Sequence, residues 1–268
     1  MATYWKCFGY VLLSIFLCFG IPAAAGLRIL STEEPPTNYT LNGKFTGTTT
    51  DIVQALKQQL GETAAIENRP WANAYKIAQE QPGILVFTCG KTQSRIDHGF
   101  QFVGPVITRK HVLWKKAETT CYVSTMADIR HRGLRVGGMR GDWRTKYFTD
   151  RGIPVDLVPR HANNVKKLFR DRIDLWISSD LEAPGLLQAE GRVMADIEIA
   201  FVIREAASFL MFSRDTPKET VRSWAGAYAE LQETDFFEKA SAKWSLILGF
   251  DLGYQNDLGF YIKSFQCP

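Results

Sequence analysis

The run "TCGKTQSRIDHGFQFVGP" (Thr88 to Pro105) concentrates residues suited to holding an anion. An apolar stretch, "GILVF", stops at Thr88–Cys89–Gly90, and Lys91 and Arg95 follow at once. A guanidinium can grip a carboxylate through two parallel N–H donors. A threonine hydroxyl donates or accepts, and a glycine lets backbone approach a bound group closely. A plain surface turn is the competing account. The adjacent carboxylates Glu33 and Glu34 could serve as general acid and base, although a solvated turn explains them more simply. "GGMRGDW" sets glycines between a strand and a helix start, where backbone N–H groups can receive an anion. Asp142 would compete for those same donors. Trp71, after Pro70, and Trp143 offer indole faces for a ring or a cation, unless each is a packed core residue. Tyr39 could line an entrance to such a site.

Catalytic signatures are missing. The chain has no G-x-S-x-G, no Walker loop, no H-E-x-x-H and no C-x-x-C. The histidines, His98, His111, His131 and His161, lack metal-ligand spacing and read as surface residues. No metal and no cofactor is implied. A net charge of +4 spread over 268 residues is too mild for nucleic acid.

These candidates need a scaffold, and the pattern supplies strands alternating with helices. Strands are expected at 27–30, 84–88, 111–114, 134–139, 155–159, 173–178, 197–203 and 208–213. Helices are expected at 51–61, ending at Gly61, and at 71–83, 142–152, 161–172, much of 181–190, 215–233 and 235–244. Asp142 is placed to cap the third of these. For the helix at 215–233, Thr216 as N-cap, Pro217 at the first helical position and Glu219 form an expected capping box. Two successive blocks of this kind make an α/β protein with two units and largely parallel sheets. Ligands bind beyond the carboxyl ends of such strands, which is where Thr88–Gly90, Gly137–Gly141 and Ser178–Asp180 fall.

Residues 1–25 read as a secretory signal peptide. Lys6 precedes an apolar run that ends in Ala23-x-Ala25, giving cleavage before Gly26. An uncleaved anchor is the alternative, and Pro22 with the alanines favours cleavage. Cys89, Cys121 and Cys267 then remain. Cys89 reads as a packed thiol, and export would permit a Cys121–Cys267 disulfide.

The order of the segments resembles the bacterial extracellular solute-binding proteins of family 3, the periplasmic amino-acid-binding type. The resemblance rests on "LRILSTEEPPTNYTLNGKFTGTTTDIVQALKQQLG", "RPWANAYKIAQ", "FTCGKTQSRIDHGFQFVGPVIT", "RDRIDLWISSD" and "SFLMFSRDTPKETVRSWAGAYAEL". It implies a type II periplasmic binding protein fold of two α/β lobes, each a mainly parallel sheet flanked by helices. Lobe 1 would comprise 26–112 and 206–268, and lobe 2 would comprise 113–205, hinged by two crossing strands near 111–117 and 199–205. Arg95 then matches the arginine that holds a ligand carboxylate, Thr88 a hydroxyl position and Gly90 a close backbone approach. Two departures stand out. The lobe 2 helix opens with Asp142–Trp143 where the family carries a threonine or similar residue. The ammonium-binding aspartate slot falls at Ser179, one residue before Asp180, which either serves after a shift of one or caps the next helix. The implied function is capture of a small polar, carboxylate-bearing ligand by a periplasmic monomer, with an ABC permease or a membrane sensor as partner. A dehydratase-like enzyme, using Glu34 or Asp142 as its acid, and a sensor or scaffold with a degenerate cleft are the alternatives.

Overall fold

The computed structural model describes residues 26–120 and 123–263. The signal-peptide reading and the Cys121–Cys267 pair fall outside the described residues. The elements run β1 (Arg28–Ser31), β2 (Tyr39–Leu41), β3 (Lys44–Thr46), α1 (Thr48–Leu60), β4 (Ile66–Asn68), α2 (Trp71–Glu80), β5 (Ile84–Gly90), α3 (Gln93–Asp97) and β6 (Gln101–Lys116). They continue with α4 (Met126–His131), β7 (Val136–Met139), α5 (Trp143–Thr149), β8 (Val155–Val158), α6 (His161–Phe169), β9 (Leu175–Ser179), α7 (Ala183–Gln188) and β10 (Ile197–Phe212). Helices α8 (Lys218–Gln232) and α9 (Phe236–Leu248) and the hairpin of β11 (Leu252–Gln255) and β12 (Gly259–Ile262) complete the chain.

The buried strands are apolar on both faces because helices cover both. Successive side chains of a strand point to opposite sides. Leu85 and Phe87 therefore meet the core under α1, α8 and α9, with Ile52, Val53, Trp224 and Trp244. Ile84 and Val86 meet Ala74 and Ala78 of α2 on the other side. Lobe 2 repeats the plan. Val112, Trp114 and Trp176 pack under α6 and α7, while Leu113, Leu175 and Ile177 pack with Phe148 of α5.

The sheet order is β4-β1-β5-β10-β6-β9-β7-β8. Strands β4, β1 and β5 are mutually parallel, as are β9, β7 and β8. The two lobes are joined through β6 and β10, which run antiparallel to each other from Ile197↔Lys116 to Phe212↔Gln101. The expected strands at 197–203 and 208–213 are thus one strand, and the expected strand 111–114 is the far end of a longer one. The apolar pattern breaks at Arg204 and Glu205 because β10 is exposed there, between its two cores.

Several local expectations hold. Gly61 ends α1 in the left-handed region at φ 66°, and Asp142 caps α5 by accepting from Arg144 N. The start of α8 differs. Pro217 itself is the N-cap, with no side-chain cap. Thr216 instead bonds Ser213, and Glu219 pairs with Arg222. An exposed carboxylate gains as much from that neighbouring cation as from a frayed N–H. The Asn42–Gly43 turn of the β2–β3 hairpin went unpredicted, although both residues adopt positive φ as such a two-residue turn requires.

Candidate functional site

A cleft of about 800 Å³ lies between the lobes. Lobe 1 lines it with Glu33 and Glu34, from the loop after β1, and with Arg69 to Trp71 at the start of α2; lobe 2 contributes Met139, Trp143 and Glu182. A second hollow of about 640 Å³ shares Glu33, Glu34, Met139 and Glu182 with the first and extends to Tyr39 and His161. Trp71 and Trp143 are 40% and 41% exposed. Leaving two indoles so open costs hydrophobic burial, so neither is the packed core residue that the alternative reading required.

Arg95, Gly90 and Trp71 come together. Helix α3 is capped by Thr92, whose hydroxyl accepts from Arg95 N. The helix carries the Arg95 guanidinium back over β5, where Nη1 donates to the Gly90 carbonyl. The guanidinium lies 4.9 Å from the Trp71 ring centre and 5.3 Å from that of Tyr75. Among the described residues no carboxylate pairs with it. Thr88, two residues before Gly90 on β5, has φ 64°. Its hydroxyl is buried without a hydrogen-bond partner. Cys89 is a packed thiol as expected, and burial pushes it up to about 12. Lys91 lies over the Phe102 and Phe209 rings.

The lobe 2 wall is a buried charge network rather than an anion cradle. Gly137 and Gly138 lie inside β7, not in a turn. A Cβ on them would come within 2.4 Å of Ile173 and Thr145, so their role is close packing of the neighbouring residues. The Asp142 carboxylate occupies the helix start and accepts from Arg144 N at 2.8 Å. The Arg144 side chain pairs with Asp142 at 2.7 Å and with Glu182 at 2.6 Å. Glu182 also accepts from Ser178 Oγ and Ser179 N, each at 3.1 Å. Burial opposes the charge on Glu182, but Arg144 outweighs it and holds the carboxyl at about 2. Burial likewise works against Asp142, and His161 and Arg144 overcome it, leaving its carboxyl well below the usual range. His161 stands 3.4 Å from Asp142 and accepts at Nδ1 from the Trp176 indole.

Beneath the cleft lining lies the face of β6 and β10 that carries Arg109, His111 and Arg204, which touch Glu34 and Trp143 of the lining. Arg204 pairs in register with His111, and Ala206 with Arg109. Directly opposed residues of a sheet share a face. His111, on this face, and His161, at the start of α6, are buried rather than the surface residues expected. Burial, then Arg144 and Arg109, press His111 down to about 3, so an uncharged imidazole meets Trp143 edge-on at 4.9 Å. The Arg204 guanidinium covers the Trp143 ring at 4.2 Å. Arg109 pairs with Glu34, and its Nε and Nη2 have no partner.

Asp180 departs from the cleft lining. It is 4% exposed and caps the following turn by accepting from Leu181 N at 2.8 Å. Burial raises its carboxyl to about 6, against the Lys110 and Leu181 N–H groups and Arg109. A carboxyl raised in the folded state costs stability as it ionises. That cost is absent below the ordinary value of 3.8 and complete above about 6. We expect stability to fall by on the order of 3 kcal/mol across this window, and Asp180→Asn to flatten the loss. Urea denaturation between pH 3.5 and 7 measures it, and an unchanged slope in the variant would sink the assignment.

The charged residues missed in the sequence are Arg109, His111, Arg144, Glu182 and Arg204. A signal existed for Arg109, a lone guanidinium inside the apolar run "VGPVITRKHVLW". The partners of Arg144 lie too far apart in the chain for any local pattern to join them.

Two α/β lobes on two crossing strands, with an open, aromatic-lipped cleft between them, define a binding protein of the type II periplasmic class. The chain belongs to the bacterial extracellular solute-binding proteins, family 3, whose family model matches residues 27–247. No curated protein matches its sequence. Among solved structures it is similar to a histidine kinase sensor domain with similarity to periplasmic binding proteins, at TM-score 0.65 and 16% identity over 81% of this chain and 95% of that one. It is also similar to an ABC uptake transporter substrate-binding protein from Streptococcus pneumoniae with bound histidine, at TM-score 0.63 and 19% identity over 86% and 94%. The L-cystine solute receptor of Neisseria gonorrhoeae, in its unliganded open conformation, gives TM-score 0.63 and 18% identity over 86% and 96%.

Proposed function

We propose that this protein is a periplasmic receptor for a small carboxylate-bearing solute, captured as lobe 2 (113–205) closes on lobe 1 (26–112 and 206–263). The observation that carries this reading is Arg95, a half-buried guanidinium with no carboxylate partner among the described residues, set beside the exposed indole of Trp71 at an interlobe cleft. A ligand carboxylate supplies the missing counter-charge and engages the guanidinium through two N–H donors. The Gly90 carbonyl lies beside it, and the unpartnered Thr88 hydroxyl is two residues back on the same strand. Trp71 and Trp143 close over the rest of the ligand, and Glu34 lines the wall with its carboxylate engaged by Arg109. Closure would bend β6 and β10 where they cross between the cores. No helix of the described residues is long and apolar enough to cross a membrane. An ABC permease is the partner proposed for the closed form. The enzyme reading finds little support. Asp142 is held ionised between Arg144 and His161, which disqualifies it as a general acid near neutral pH.

Native mass spectrometry of the protein from a periplasmic extract, followed by a thermal-shift screen of amino acids, amines and organic acids, tests the reading. A bound mass or a concentration-dependent rise in Tm supports it. Thr88→Val sharpens the result. It removes a buried hydroxyl that has no partner, so the ligand-free protein should lose little stability or gain slightly. Binding should weaken by about tenfold, the worth of a hydrogen bond to a charged group. Loss of stability with unchanged affinity would assign Thr88 to the fold alone.

A further inference from the structure

We propose that Arg204 is a second anion anchor, so that the solute is a small dianion such as an α,ω-dicarboxylate. This deepens the receptor reading above and rests on it. Arg69 lines the cleft, and Arg95, Arg109, Arg144 and Arg204 each touch a residue that lines it; three of these five are neutralised in place. Arg69 pairs with Glu67, Arg109 with Glu34, and Arg144 with Asp142 and Glu182. Arg95 and Arg204 have no carboxylate partner among the described residues. Each lies instead over an indole that lines the same cleft, Arg95 over Trp71 and Arg204 over Trp143. The two lips therefore present a similar device, a guanidinium over tryptophan with no carboxylate partner among the described residues; Arg95 spends one N–H on the Gly90 carbonyl.

The strand register sets the separation. Ser208 pairs with Gly90, whose carbonyl the Arg95 guanidinium touches. Arg204 lies four residues further along β10 with an unbroken register between, from Ser208↔Ile107 to Arg204↔His111. Positions 204, 206 and 208 thus share one face of β10, and the two stations stand roughly 13 Å apart along the strand. Ala206 between them is small. Glu205 points to the opposite face, so it cannot neutralise Arg204 from its own strand. The carboxylates that face the cleft are engaged elsewhere. Glu34 and Glu182 hold arginines, and Glu33 accepts from the Thr40 N–H and hydroxyl and from Asn68. A cleft of this volume suits a small molecule long enough to touch both cations.

Isothermal titration with α,ω-dicarboxylates of four to nine carbons, each beside the monocarboxylate of equal length, tests the proposal. The best dicarboxylate should bind at least about tenfold tighter than its monocarboxylate partner, a difference of about 1.4 kcal/mol. Arg204→Ala should erase that advantage, lowering dicarboxylate affinity at least about tenfold more than monocarboxylate affinity. Arg204→Lys should restore part of it, since charge returns without the stacked plane. Monocarboxylates or amino acids binding as tightly as any dicarboxylate, or an Arg204→Ala variant that keeps the advantage, overturns the second anchor and leaves the receptor standing. Silence from all the acids, with amines or neutral solutes binding instead, overturns the carboxylate reading together with it.

Discussion

Replacing Arg144 with methionine should cost about 3–5 kcal/mol of folding stability, the range found when one partner of a buried ion pair is removed. The side chain is 6% exposed and bonds two carboxylates on different elements, Asp142 at the start of α5 and Glu182 at the start of α7. Without it, Asp142 stays buried at 3% side-chain exposure with only His161 and the backbone N–H of residue 144 beside it. Glu182 keeps its Ser178 and Ser179 donors but no adjacent arginine. Both carboxylates would then ionise against burial. The sign of the pH dependence should change with them. In the natural protein Glu182 adds stability above the ordinary carboxylate value of 4.5, and loses it as pH falls through about 2. In the variant its folded-state value should rise, so acid becomes stabilising for this site. Urea midpoints at pH 7 and pH 4 give both numbers. A loss under about 1 kcal/mol at pH 7 would mean that the network contributes little to the fold. The triple variant Asp142→Asn, Arg144→Met, Glu182→Gln should recover much of the loss, because it leaves no charge stranded.

Arg95→Ala should abolish carboxylate binding while only modestly lowering the stability of the ligand-free protein. Truncating one member of a buried, hydrogen-bonded charge pair costs roughly 2–5 kcal/mol of binding, so affinity should fall at least about thirtyfold. In the ligand-free state Arg95 is half-buried, donates one bond to the Gly90 carbonyl and lies on two rings. Stacking of that kind is worth about 0.5–1 kcal/mol and the hydrogen bond about as much again, so the stability change should stay within about 2 kcal/mol. Arg95→Lys should bind nearly as poorly, since a point charge cannot reproduce the fork. Titration calorimetry with the solute found in the thermal-shift screen, beside a melting curve without ligand, separates the two effects. A variant that melts far lower and binds normally once folded would make Arg95 a structural residue.

The amino-acid sequence by itself determined the two-lobe α/β plan and the place where the anion group begins. Apolar runs bounded by glycine and proline are local signals, as are the Gly61 stop and the Asp142 cap. Local chemistry settles such features wherever the segment folds. The stretch from Thr88 to Arg95 was legible for the same reason, because a tight turn and a one-turn helix bring its members together over eight positions. Trp71 and Trp143 were legible as candidates but not as exposed residues, since exposure depends on what a neighbouring lobe leaves open. Only the tertiary structure decided the rest. The crossing strands β6 and β10 read as fragments because each passes from one core to another, and the charged residues between cores interrupt any single period. Arg144 meets Glu182 across 38 positions and Arg109 meets Glu34 across 75. Burial and Coulomb energy act through space, and sequence separation carries no record of either. The same reason turned two histidines inward and Asp180 away from the cleft, and it set Arg204 against Trp143.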